Sequence, residues 1–274
     1  MEINTGLIAC ATAYGGKDLI IRVLGPSADY WGEGLKNFNE KIVNNIKKIC
    51  AKAHFKLGPD INDTDSVPPR VAKDIFENGG MCEDELLIEY YSGLLASSRT
   101  DCSRDDRVLS LLGLLRTMST YQIRSHYIIY SIFRSKFIRK EVNLQVASEA
   151  SKLAVFIPIN VYANAMEFNG SENLNIILPH SLNTLSLNNL IGNNYFFGDQ
   201  NFLLKQFPDN QIIKGAGIIV TPSPIGAELY LAIQGKRECT VNDIFSDKWN
   251  LNTSINIQID SGSEPIYSDQ NAMV

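Results

Sequence analysis

The sequence predicts a mainly α protein, an N-terminal helical bundle followed by a small α+β module resembling a winged helix. Three observations carry this. Apolar residues recur at spacings of three and four through most of residues 1–168. Prolines, glycines and capping residues cut that pattern into separate helices. After residue 169 asparagine and glycine become frequent, charge thins, and short β-branched and aromatic runs replace the helical period. The expected division is a bundle over 1–168, a winged-helix-like module over 169–260 and a flexible tail over 261–274.

The first helix is expected between Ser27 and His54, where Leu35, Phe38, Ile42, Ile46, Ile49 and Ala53 form one apolar stripe. Pro26 precedes it and Gly58-Pro59 ends it. The stripe lies close to a coiled-coil period, so it suits packing in a bundle or against a second copy. "GPDINDTDSVPPR" then reads as an acidic surface loop; it lacks the glycine and terminal glutamate that a calcium loop of the EF-hand type needs.

"PPRVAKDIFENGG" is a short proline-led helix stopped by Asn78-Gly79-Gly80. "CEDELLIEYYSGLLASS" follows, with carboxylates in its first turn, where the helix dipole favours them. Its Gly93 and Ala96 leave a small surface for close approach by another element. In "SSRTDCSRDDRV" Ser103 and Asp106 fit a loose capping box, which places Asp105 and Asp106 in the first turn of a leucine-rich helix. Ser119 and Gln122 stand in capping-box register at the head of "STYQIRSHYIIYSIFRSKF". Further helices are expected in "NLQVASEASKLAVFI" and "VYANAMEF". The second half reads as a helix at 181–190, strands at 195–197 and 212–221, a helix in "IGAELYLAIQG" ending at Gly235, and a strand in "INIQID".

The chain has 274 residues and a formal net charge of -5, so as a whole it does not attract a phosphate backbone. The basic run Arg116, Arg124, Arg134, Lys136, Arg139, Lys140 is interleaved with apolar residues and reads as a solvated helix face. Its counterpart in the second half, "SLNTLSLNNL", carries Asn183, Asn188 and Asn189 but no cation, a poor recognition helix for DNA. The five cysteines are scattered without C-x-x-C spacing, which argues against a disulfide framework or zinc site and suits a reducing compartment. The N-terminus has neither a signal-peptide pattern nor a run long enough to span a bilayer.

Nucleophile elbows, Walker A loops and G-x-G-x-x-G runs do not occur, the three histidines are not at metal-ligand spacing, and no cofactor is expected. His126, with Arg124 beside it and Glu89 or Asp106 within reach of a neighbouring helix, has the composition of an acid–base group. The reading the sequence favours is a partly buried histidine that holds two helices together by hydrogen bonds. The residues most suited to a polar network bordering a binding surface are Glu83, Asp84, Glu89, Arg99, Arg104, Asp105, Asp106, Arg107, Arg124 and His126.

"LGPSADYWGEGL", "VPPRVAKDIFENGGMCEDELLIEYYSGLLASS" and "MSTYQIRSHYIIY", over roughly residues 20 to 135, resemble the abortive-infection alpha proteins of bacteria, with a weaker echo in "PSPIGAELYLAIQG". The most specific element is the proline-led helix, the acidic helix start and "YYSGLLASS" in succession. The resemblance implies a cytoplasmic bacterial protein of phage defence and brings no catalytic residues with it. The expected function is a non-enzymatic sensor or interaction module with a protein partner or a second copy of itself, docked on helical faces such as Leu35 to Ala53. Two alternatives stay open: a nuclease or nucleotide hydrolase switched on by infection, and a winged-helix DNA-binding regulator.

Overall fold

The structure, a computed structural model, describes residues 28–63, 65–102, 104–208, 210–236, 238–248, 257, 259 and 262–266, with side chains from residue 40 onward. Several readings lie outside these residues: the N-terminal segment, the Leu35 and Phe38 side chains, the Ser103 cap, most of "INIQID" and the last eight residues.

Helix α1 (Ala28–Leu57) runs along α3 (Glu85–Ser97), with α2 (Pro69–Gly79) beside both. Ile49 and Ala53 are buried in this packing and Ile42 and Ile46 half-buried, so the described end of the predicted stripe is a bundle seam. That corrects the expectation of docking through it: its described end is already covered by the protein's own helices. On the flank of the seam Lys41 pairs with Glu83, Lys48 with Glu85, and Lys52 and Lys56 with Glu89. Asp84 caps α3 by accepting from the Leu87 N–H at 2.9 Å.

Helix α4 (Val108–Thr117) starts later than predicted, so Asp105 and Asp106 lie in the turn before it. Helix α5 (Thr120–Phe137) has the predicted capping box at Ser119 and Gln122 and crosses the middle of the molecule, touching α3 and much of the second half. The small surface of α3 receives the chain end of a later helix: a Cβ on Gly93 would lie 1.9 Å from the Ile233 carbonyl.

The helix predicted in "NLQVASEASKLAVFI" is instead the single turn α6 (Ala147–Ala150), a 3-10 turn and strand β1 (Val155–Pro158). Helix α7 (Ile159–Met166) follows as expected. Helix α8 (Leu174–Leu187) begins earlier than predicted and contains Pro179, while Asn189 lies beyond its end. Strand β2 (Phe196–Gly198), helix α9 (Gln200–Gln206), strand β3 (Gly217–Val220), helix α10 (Pro224–Ala232) and the short β4 (Glu264–Pro265) complete the fold.

The sheet order is β2-β3-β1-β4, antiparallel throughout. The expected two-stranded wing is therefore part of a larger sheet, with β3 held between β2 and β1. Two further corrections follow. β1 comes from the chain on the other side of residue 168, and Glu264–Pro265, in the stretch read as a loose tail, forms an edge strand with Ser263 and Ile266 buried beside it. The sheet is apolar on both faces. Val155, Ile157, Ile218 and Val220 join a core that runs from Ile49 to Phe245; Ala154, Phe156 and Ile219 face a small outer cluster with Leu203, Ile213 and Ile266. Among the described residues no helix is long and apolar enough to cross a membrane.

Candidate functional site

Most of the charged residues singled out in the sequence are occupied by partners within the fold. Glu83 is exposed and pairs with Lys41, which holds its carboxyl below the usual range. Glu89 is buried between Lys52 at 2.9 Å and Lys56 at 2.5 Å. Burial lowers the Lys56 ammonium while Glu89 opposes that effect. Arg99 ties down the acidic loop by donating to the Ile61 carbonyl (3.2 Å), Asp63 Oδ1 (2.7 Å) and the Asp65 carbonyl (2.8 Å).

Arg107 forks onto Asp105 at 2.7 and 2.9 Å, Asp106 accepts from Arg70 at 2.8 Å, and Arg104 is exposed. Arg124 donates to the Ala165 carbonyl at 2.8 Å and lies against Glu167. The rest of the basic run behaves alike: Arg134 donates to the Ile244 and Ser246 carbonyls and Arg139 to Asp247. The predicted single network is thus several separate ones. Arg99 borders a polar cleft of about 300 Å³ with Lys56 and Lys236, and Asp105 and Arg107 border a smaller one that shares Lys236. Among the described residues no His, Cys, Asp and Glu side chains cluster in a way that holds a metal ion.

His126 belongs to a different arrangement. It is fully buried, and its Nε2–H donates to the Gly226 carbonyl at 3.0 Å. That carbonyl only accepts, so Nδ1 is left bare, and the Tyr90 hydroxyl donates to it at 2.6 Å. Burial pushes the imidazole down to about 4, against a smaller opposing effect of the Gly226 bond. The ring is neutral at physiological pH and joins α3, α5 and the head of α10.

One turn along α5, Tyr130 continues this buried polar seam. Its hydroxyl donates to the Leu190 carbonyl at 2.9 Å and accepts from the Ser223 N–H at 3.0 Å. Ser223 caps α10 through the Gly226 N–H and donates to the Asn189 carbonyl at 2.5 Å. Glycine is required where these segments meet: a Cβ on Gly226 would stand 2.1 Å from Tyr130 Oη and 2.2 Å from the Leu190 oxygen.

In front of this seam opens a cleft of about 580 Å³. Its floor is formed along the outer side of the sheet by Ala154, Phe196, Ile219 and Thr221. One wall is α6 with its approach, including Gln145 and Ser151; another is the loop carrying Asn189, Gly192, Asn193 and Asn194; the head of α10 brings Ser223 and Ile225. The loop sits tightly on the floor, since the Gly192 N–H donates to the Thr221 carbonyl at 2.8 Å and a Cβ on Gly192 would come within 2.0 Å of Thr221 Oγ1.

No family model, curated protein or solved structure matches the chain. None of the described residues that line the cleft is ionisable; they present carboxamides, hydroxyls, two phenyl rings and aliphatic groups. Such a surface binds by hydrogen bonds and apolar contact.

None of these residues stood out as a site in the sequence: Gln145, Ser151, Phe196, Ile219, Thr221 and Ile225 fell inside expected helices and strands, and the asparagines and glycines between them carry no charge. The available signal was "NNLIGNNYFFG" lying between two helices together with "TPSPIG", in which capping and close-approach residues alternate with buried aliphatics.

Proposed function

We propose that this protein is a binding component of bacterial phage defence, acting in the cytoplasm, whose working site is the uncharged cleft at the head of α10. A protein partner or a second copy of the chain would receive the signal of an occupied cleft. The observation that supports this reading is the convergence of the segments on which the family resemblance rests. Tyr90 of "EYYSGLLASS", His126 and Tyr130 of "MSTYQIRSHYIIY", and Ser223 and Gly226 of "PSPIGAELYLAIQG" meet in the one seam that backs the cleft. The seam connects the cleft directly to α3 and α5, the helices through which occupancy of the site would reach the bundle.

The test is a phage challenge of bacteria carrying the wild-type chain or Ser151→Arg, a substitution at an exposed wall position that puts bulk and charge into the cleft. The wild type should lower plating efficiency, and Ser151→Arg should restore it at least tenfold at equal soluble protein. Full protection by the variant, or no protection by the wild type, would overturn the reading.

A further inference from the structure

We infer that the cleft takes an uncharged ligand of the nucleobase class, a flat ring whose edge carries hydrogen-bond donors and acceptors side by side, supplied as the free base or nucleoside. The inference rests on the cleft being the working site.

The charge of the lining selects a neutral ligand. A phosphate or carboxylate entering the cleft would lose hydration without meeting a cation from any described lining residue, and the chain as a whole is negative. A neutral ligand carries no such penalty.

The walls carry repeated polar groups of one kind. Gln145 on one wall and Asn193 and Asn194 on another each present a carboxamide, a donor and an acceptor fixed in one plane. None of the three side chains has a hydrogen-bond partner among the described residues. A carboxamide matches the edge of a base that offers an amino group next to a ring nitrogen, as adenine does, in a two-bond contact.

The apolar part of the lining includes two aromatic rings. Phe196 and Phe207, both half-buried, line the cleft with their rings 5.6 Å apart and nearly perpendicular, at 84°. Their rings give a flat guest apolar aromatic surface to stack on, as proteins hold unstacked bases. A peptide amide offers the same hydrogen-bonding edge but not the flat apolar body that would occupy these rings. The volume of about 580 Å³ lies in the range of small-ligand sites.

The test is titration of the full chain by calorimetry and ligand-observed NMR with adenosine, guanosine, cytidine, uridine, their 5′-monophosphates and a capped tri-alanine peptide. At least one nucleoside should bind, its monophosphate no more tightly, and the double variant Asn193→Ala/Asn194→Ala at least tenfold more weakly. Both positions are exposed, so folding should be kept, and Ser151→Arg offers an independent block of the same cleft. Absence of nucleoside binding, a monophosphate that binds tenfold more tightly, or unchanged binding by the double variant would overturn the inference. The two proposals fail separately: nucleoside binding without loss of protection in Ser151→Arg removes the defence role, and loss of protection without nucleoside binding removes the ligand class.

Discussion

Acidification isolates the role of His126. In the folded chain the imidazole is held at about 4, whereas in an unfolded chain it titrates near 6.5. As pH falls the unfolded chain takes up this proton first, so stability is fully present above about pH 6.5 and declines toward pH 4. Each pH unit in that window costs about 1.4 kcal/mol, which sums to about 3 kcal/mol for this one group. Carboxylates also titrate there, so the comparison is with His126→Gln, whose amide can still donate toward Gly226 but takes up no proton. Denaturant unfolding of both proteins at intervals from pH 7 to pH 4 should show the wild type losing about 3 kcal/mol more than the variant. Should the variant not fold, the His126 ring protons of the wild type provide the same measurement by NMR, with no titration expected above pH 5. Parallel stability profiles, or a ring that titrates near 6.5 in the folded protein, would refute the buried neutral histidine and with it the seam behind the cleft.

Other predictions concern the supports of the same core. Gly226→Ala forces a methyl group into the Tyr130 hydroxyl and the Leu190 carbonyl and should cost about 2 to 3 kcal/mol in denaturant unfolding, with less than about 1 kcal/mol contradicting the close approach. Tyr90→Phe leaves His126 Nδ1 without its donor and should cost about 1 to 3 kcal/mol by the same assay, whereas a neutral outcome would mean that the hydroxyl bond is not made. Glu89→Gln strands Lys56 beneath the α1–α3 seam and should cost about 3 kcal/mol at neutral pH, read as a fall in thermal midpoint; a shift within error would show that the pair is not buried in solution.

The fold was legible where local chemistry decides it. Ser119 and Gln122 cap a helix whatever surrounds them, and Gly93 and Ala96 announce a close approach without naming the partner. Pairing between distant segments was not legible. "AVFIP" is buried on both faces of the sheet, so it lacks the alternation that marks a half-exposed strand and reads like the end of a helix. Glu264–Pro265 is a strand only because β1 has a free edge beside it. Helix α8 was expected at 181–190 and begins at Leu174; it runs through Pro179 because one lost backbone bond is a local cost that packing of Leu178, Leu182 and Leu185 offsets.

The site was hidden for a related reason. Charged clusters stand out in a sequence because ionisable groups carry reaction chemistry, and that is why Arg99, Asp105, Asp106 and Arg107 attract the eye. In a folded chain the same groups are the ones that most need counter-charges, and here Arg99 meets Asp63, Arg107 meets Asp105, and Asp106 meets Arg70. A surface made from carboxamides, hydroxyls and rings has no such need, so its groups stay available for a ligand while leaving no charge pattern along the chain. His126 links the two cases. It was conspicuous as a titratable residue, and its place in the fold is to be a neutral one, bonded through both ring nitrogens, so that the head of α10 and the asparagine loop form a fixed wall for what enters the cleft.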